Sequence, residues 1–311
     1  MDTQYAVVPE QLAGQRFDRV LAQLFPDYSR SRLQQWVKGG QITVEGQLRR
    51  VRDSVKAGEQ IALVAEMEPR LELEPEPISL SIVAEDEALI VIDKPAGLVV
   101  HPGAGNSTGT LVNALLYYDP ALACLPRAGI IHRLDKDTSG LLVVARTAAA
   151  HNHLVAELQQ RRVGRSYQAI VVGTPTAGGQ VDAPIARHPR DRKRMAVVRD
   201  GRSAVTHYRV GERFSAHTQL KVELETGRTH QIRVHMAHIG LPLVGDPVYG
   251  RRPVYPKLAS EQLREQLDGF RRQALHAWQL RFSHPLSGEH VEWQAEPPED
   301  WRQILEALRA G

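Results

Sequence analysis

The chain has 311 residues, of which 42% are hydrophobic and 24% charged, room for one large core and a smaller module. Its formal net charge is only +3, so a polyanion-binding face has to come from local clustering of its 39 Lys and Arg. A lone Cys124 excludes an intramolecular disulfide, and no apolar run approaches the roughly 20 residues of a membrane helix. The start, Met1-Asp2-Thr3-Gln4-Tyr5, lacks the basic and apolar regions of a secretory leader. The expectation is a cytoplasmic protein with no membrane partner.

Phe17, Val20, Leu21 and Leu24 have helical spacing within 16–25, and Pro26 closes that helix. Ser29 is placed to cap a second helix over 30–38, which Gly39-Gly40 ends. Ile42-Thr43-Val44 alternates like a strand before the turn Glu45-Gly46, and 51–64 reads as a further strand pair around Gly58-Glu59. Arg30, Arg32 and Lys38 lead a set of cations that could line one face of this unit. Residues 66–79 are acidic and Pro-rich, an extended semi-rigid spacer. The chain therefore divides into a unit at 1–65 (core about 16–63), a linker at 66–79 and a second unit at 80–311.

In the second unit 82–83 and 88–93 are strand-like, and 94–103 is rich in turn residues. Thr110 caps a helix to about 118, and Thr147 another to about 162. Between them two carboxylates, a His, an Arg and a Lys crowd into 132–137, directly before the apolar run 141–145. A polar loop entering a buried strand holds its side chains against a rigid element, which suits a catalytic carboxylate. Residues 165–172 form the next strand, carrying Tyr167. The densest basic segment, 187–202, includes Arg187, Arg190, Arg192, Lys193 and Arg194 and reads as a mobile loop that orders on phosphates. Residues 206–210 and 218–224 look like paired strands, with Arg233 and His235 on a following structural or RNA-facing strand. A turn cluster at 245–250, a helix at 260–270, a strand at 276–282, a hairpin near 285–288 and a last helix from 300 complete an α+β pattern with a largely antiparallel sheet.

Spacing excludes several chemistries. Asp135 and Asp137 lie two apart in a loop, which fixes no glycosidase geometry. His101, His132, His230, His235 and His238 show no His-Glu-x-x-His, so no metal is expected. No phosphate-binding glycine loop and no Ser nucleophile elbow occurs, and no nucleotide or other cofactor is expected.

Ser29 to Leu33, Gly40 to Gly46 and Val55 to Glu59 together resemble the S4 RNA-binding domain, with Glu45 departing from the Asn often found before the turn glycine. His132-Arg133-Leu134-Asp135-Lys136-Asp137-Thr138-Ser139-Gly140-Leu141 resembles the signature loop of the RluA family of pseudouridine synthases. Lys94 to Pro102, the strand with Tyr167, and Thr226-Gly227-Arg228-Thr229-His230-Gln231-Ile232-Arg233 are similar to that family's other motifs, in order. The resemblance implies a small S4 (α-L) domain before a pseudouridine-synthase fold, with a mixed, largely antiparallel sheet and a central cleft. It implies isomerisation of specific uridines, clustered in a stem-loop of large-subunit (23S) ribosomal RNA, by a monomer acting on that RNA or on the assembling subunit. By the same resemblance Asp135 is the nucleophile, attacking C1′ of the ribose or C6 of the base. Arg228 is the cation that holds it ionised, and Tyr167 stacks on the uracil and assists removal of the C5 proton. Base flipping is implied, with His132, Arg133 and the basic segment on the RNA. Asp137 is read as a loop-capping or salt-bridging residue. The alternative is a non-catalytic RNA-binding assembly factor.

Overall fold

The computed structural model describes residues 2–311 except 27, 29, 66–72, 104, 105, 107, 192 and 193. The expected cap Ser29, the basic residues Arg192 and Lys193, and most of the acidic linker lie outside the described residues.

The N-terminal unit runs β1 (Asp2–Val7), α1 (Phe17–Leu24), α2 (Arg30–Gly39), β2 (Ile42–Val44), β3 (Gln47–Leu48) and β4 (Gln60–Ala65). Its sheet has the order β1-β4-β2-β3. Phe17, Val20 and Leu21 of α1 are fully buried with Leu33 and Val37 of α2 and with Ile42, Ile61 and Leu63 of the sheet. The strand pair expected over 51–64 is a single strand: β4 pairs with β2 and with β1, from Asp2↔Ala65 to Val7↔Gln60. Tyr5 and Val7 of β1 stay exposed, so its pattern never announced a half-buried strand. Glu45 and Gly46 both take positive φ, 51° and 72°, in the two-residue turn between β2 and β3. Glu45 tolerates this with its carboxylate accepting the Gln60 amide at 2.6 Å.

Asp18 is fully buried in this unit and accepts from Arg16, Arg30 and Gln34. Arg30, one of the expected RNA-facing cations, is thus partly committed to an internal ion pair.

The second unit contains β5 (Ile82–Glu85), β6 (Leu89–Lys94), β7 (Ser139–Ala145), β8 (Gly164–Val172), β9 (Gly179–Asp182), β10 (Ile185–Arg187), β11 (Met195–Val197), β12 (Val205–Arg213), β13 (His217–Leu224), β14 (Leu275–Ser283) and β15 (His290–Gln294). Its helices are α3 (Leu111–Tyr118), α4 (Ala148–Gln159), α5 (Gln231–His238), α6 (Glu261–Gly269) and α7 (Glu299–Ala310). Among the described residues a nine-stranded sheet has the order β5-β6-β7-β14-β8-β13-β12-β9, with β15 added on β14. Every pairing in it is antiparallel except β7 with β14. Thr110, Thr147 and Ser260 cap α3, α4 and α6 as their sequences suggest.

The central strands are uninterrupted apolar runs because both faces are covered. In β7, Leu142 and Val144 enter one core with Ile90, Ile92 and Leu115, while Leu141, Val143 and Ala145 enter another with Leu154 and Phe282. In β8, Tyr167, Ala169 and Val171 belong to the first core and Ile170 to a third, under α6 and α7.

The segment 187–202 is not a structureless loop. β10 and β11 form an antiparallel hairpin with Ile185↔Val197 and Arg187↔Met195, and the His188 imidazole accepts the amides of Arg190 and Asp191 in its turn. Apolar contacts of Ile185, Met195 and Val197 with Val234 and Tyr249 seat it on the unit below. The hairpin forms because those three residues find an apolar seat that charge density along the chain does not reveal.

Burial alone would raise the Asp18 carboxyl, but hydrogen bonds from Arg30, Arg16 and Gln34 outweigh it and hold the group at about 2, against 3.8. A folded pKa below the unfolded one stabilises above pH 3.8, and that stability is lost as pH falls toward 2. Asp18→Asn is expected to cost about 2 kcal/mol and to speed amide exchange across α1 and α2 while the second unit is unchanged. Hydrogen exchange with mass spectrometry between pH 7 and pH 3 checks this, the difference between variant and parent shrinking at the acid end.

Candidate active site

Asp135 lies in the loop that enters β7, and the fold fixes this loop from three sides. Lys94, fully buried at the end of β6, donates its Nζ to the carbonyls of Pro95 (2.7 Å), Leu98 (2.9 Å) and Lys136 (2.9 Å). One ammonium so ties the turn after β6 to the residue beside Asp135. Burial pulls Lys94 down to about 8 from 10.5, the nearby Asp137 and Asp135 opposing that shift. On the second side Gln273 donates to Thr138 Oγ1 at 3.0 Å and Arg272 to the Asp137 carbonyl at 3.3 Å. On the third, Gly140 adopts φ +111°, and a Cβ there would stand 2.3 Å from the Ala277 carbonyl of β14. Only glycine lets β7 approach β14 closely enough to pair in parallel.

His132 is buried and accepts the Val143 amide of β7 at Nε2, 3.3 Å away. Burial and the Arg165 charge push it down to about 3, so it is neutral at physiological pH. It braces the loop against β7 and also lines the cleft.

The cation on Asp135 is Arg233, not Arg228. Arg233 Nη1 donates to Asp135 Oδ2 at 3.0 Å, while Nε and Nη2 fork onto both oxygens of Asp246 at 2.7 and 2.9 Å. Asp246 also accepts the amides of Val248 and Tyr249, which fixes it. Burial works against both charges, yet the pairing wins: Arg233 is raised and Asp246 lowered. Arg228 points its Nε at the Ser203 carbonyl, 3.0 Å away. Arg233 reaches Asp135 because 231–238 is helical rather than a strand: α5 buries Gln231, Ile232, Arg233, Val234, His235 and Met236 in succession, and their polar–apolar alternation has the period of a strand, not of a helix. Gln231 locks the preceding loop, accepting from Thr226 Oγ1 and the Arg228 amide and donating to the Val205 carbonyl and Thr206 Oγ1. His235 is wholly structural, bonded to Thr206 and the Ala183 carbonyl.

The other oxygen, Oδ1, faces His230 Nε2 at 3.9 Å. The Tyr249 hydroxyl accepts the Met195 amide at 2.8 Å and lies 2.8 Å from His230 Nδ1. Burial lowers His230, against the pull of Asp135.

A cleft of about 880 Å³ opens over these groups, lined by Asp135, Tyr167, Arg228, Arg133 and His132 of the expected set. Burial and the Asp135 charge raise the Tyr167 hydroxyl, against the opposing Arg165, so the phenol keeps its proton at neutral pH. Arg165, unmarked by the sequence reading, lines the same cleft. The remaining expected cations lie elsewhere. Arg187 and Arg190 are exposed on the hairpin, and Arg194 packs its guanidinium over the Tyr249 ring at 5.3 Å. Lys38 is exposed at the end of α2. Arg32 is not an exposed RNA contact: it is buried, lies over Trp36 at 4.6 Å, and donates to the Cys124 carbonyl of the second unit at 3.1 Å.

The arrangement presents a carboxylate with one oxygen held by a guanidinium and the other 3.9 Å from an imidazole, in a cleft that a tyrosine also lines. That suits attack on an electrophilic carbon of a planar substrate. The sequence assigns no catalytic role to Arg233, read as part of a structural or RNA-facing strand, to His230, or to Asp246 and Tyr249 of the turn cluster. Their connection to Asp135 spans about a hundred residues and has no local signal.

Known proteins resemble this chain over most of its length. The family model described as RNA pseudouridylate synthase matches residues 88–238, and the S4 domain model matches 15–61. A Xanthomonas campestris protein named ribosomal large subunit pseudouridine synthase D is 57% identical over 98% of this chain and 92% of its own length. Proteins of the same name from Pseudomonas aeruginosa and Escherichia coli K12 are 58% and 55% identical, each over 98% of this chain and 95% and 94% of their own lengths. Among solved structures, human RNA pseudouridylate synthase domain containing 4 is 28% identical with a TM-score of 0.58, covering 74% of this chain and 93% of its own. Human RNA pseudouridylate synthase domain containing 1 is 26% identical with a TM-score of 0.55, covering 76% and 98%. A chain so similar over nearly its full length, with its charged loop set in a cleft of this kind, belongs to the RNA pseudouridine synthase family and carries an S4 domain before its catalytic domain.

Proposed function

We propose that this pseudouridine synthase acts on uridines of large-subunit ribosomal RNA, with Asp135 as its nucleophile. The observation that carries the reading is the Asp135 carboxylate itself, fixed at Oδ2 by Arg233 in a cleft that Tyr167 also lines. The substrate class rests on relatives above half identity that are named for the large ribosomal subunit, and on the S4 domain.

The reaction breaks the bond between N1 and C1′, turns the uracil, and joins C5 to C1′; the proton lost from C5 balances the one gained at N1. No electrons are gained or lost overall. The target uridine leaves its stack to reach Asp135, at about a few kcal/mol. Asp135 attacks C1′ or C6, and Arg233 keeps its charge localised during the approach. Tyr167 offers a ring for the detached base, whose retention in the cleft makes rejoining faster than escape. The raised phenol favours this stacking role over that of a resting general base, because a base must first be without its proton. A binder without catalysis would gain nothing from an anion in an RNA-facing cleft, and that disfavours the assembly-factor alternative.

Asp135→Asn is expected to abolish tritium release from 5-tritiated uridine in ribosomal RNA with RNA binding retained; undiminished release would refute the nucleophile assignment. Arg233→Lys keeps a charge but loses the fork that joins Asp135 to Asp246, and kcat should fall about a hundredfold with KM little changed. Steady-state tritium release at several RNA concentrations measures that split. Removing residues 1–69 should weaken binding to ribosomal RNA and flatten its dependence on salt, read by filter binding from low to high salt.

A further inference from the structure

Arg165 carries a charge that the catalytic domain leaves unanswered. It stands near the start of β8, less than a tenth exposed, and lines the cleft with Tyr167 and Asp135. Its Nε is completely covered and has no hydrogen-bond partner, and among the described residues none of its nitrogens has a hydrogen bond or ion pair. Burial works against its charge, and the group that favours it is the Tyr167 phenol, not a carboxylate. A buried guanidinium without an anion costs a free protein stability and is retained where a ligand supplies the anion.

The neighbouring backbone makes room for this side chain. A Cβ on Gly227 would lie 2.6 Å from Arg165 Nη1. Gly227 does not have the positive φ that would demand glycine for conformational reasons. The guanidinium end of Arg165 thus lies directly against the Gly227 backbone. Across the cleft His132 is neutral and offers no counter-charge.

We propose that Arg165 binds a backbone phosphate of the flipped nucleotide, an anion subsite beside the base-binding face of Tyr167. The proposal rests on the assignment of Tyr167 to the uracil. Residues two apart in a strand project to the same face about 7 Å from one another, on the scale of one nucleotide from base to phosphate. The RNA offers formal negative charge only at its phosphates, whereas the uracil carbonyls offer dipoles that leave a buried cation uncompensated. The fork of a guanidinium also matches two phosphate oxygens.

The test compares Arg165→Met with its parent, both carrying Asp135→Asn so that binding is read without turnover. Filter binding to ribosomal RNA transcripts over a salt series should show affinity weaker by about tenfold or more and a log–log salt slope smaller by about one. Arg165→Lys should retain the slope. Thermal melting of Arg165→Met without RNA should match or exceed the parent, since the free protein loses an unpaired buried charge. An unchanged salt slope overturns the phosphate assignment, and so does a variant that melts lower or fails to fold, because the charge would then serve the fold. Absence of tritium release by the unmodified enzyme would refute the nucleophile and substrate readings instead, leaving the binding comparison intact.

Discussion

The site depends on one guanidinium shared between two carboxylates. Arg233 is held by Asp246 through two parallel bonds and reaches Asp135 with its remaining nitrogen. A buried Arg is tolerable only with its charge met, and Asp246, itself fixed by two backbone amides, meets it permanently. Arg233 therefore holds its place whether or not a substrate occupies the cleft. Asp135 receives a positioned cation at one oxygen and keeps the other free for chemistry. Such preorganisation means that little rearrangement is required as charge moves away from Asp135 in the proposed attack.

The rest of the domain delivers these groups to one point. Two-faced central strands give a rigid plane, and β7 and β8 bring the Asp135 loop and Tyr167 to the same cleft. Lys94 contributes a charge to structure by satisfying three carbonyls at once, so two turns distant in sequence are held as one body. Buried cations in this domain thus have different tasks. Lys94 and Arg233 are fully engaged within the protein, and Arg165 is not.

The basic residues around this centre also separate by environment. Arg30 and Arg32 are drawn into internal contacts, the first by Asp18 and the second by Trp36 and the Cys124 carbonyl. Arg187, Arg190 and Lys38 remain exposed and available to an RNA backbone. Through hydrogen bonds from Met195 to Tyr249 and between Tyr249 and His230 the hairpin reaches the ring that faces Asp135 at 3.9 Å.

The sequence by itself marked the S4 and pseudouridine-synthase modules and singled out Asp135 and Tyr167 as candidates. These are encoded locally, in caps such as Thr110 and Thr147, in the apolar run of β7, and in motifs read residue by residue. Local patterns failed where burial is complete or absent: α5 reads as a strand because Gln231, Arg233 and His235 alternate with Ile232, Val234 and Met236 while all six are buried, and the β1 pattern is masked because Tyr5 and Val7 are exposed. Only the tertiary structure decided that Arg233 rather than Arg228 meets Asp135, that His132 braces a strand, and that Arg165 is left without an anion. Which charge meets which depends on the path of the backbone between distant segments, and a charged side chain has the same letter in the sequence whether it is paired, buried or waiting for a ligand.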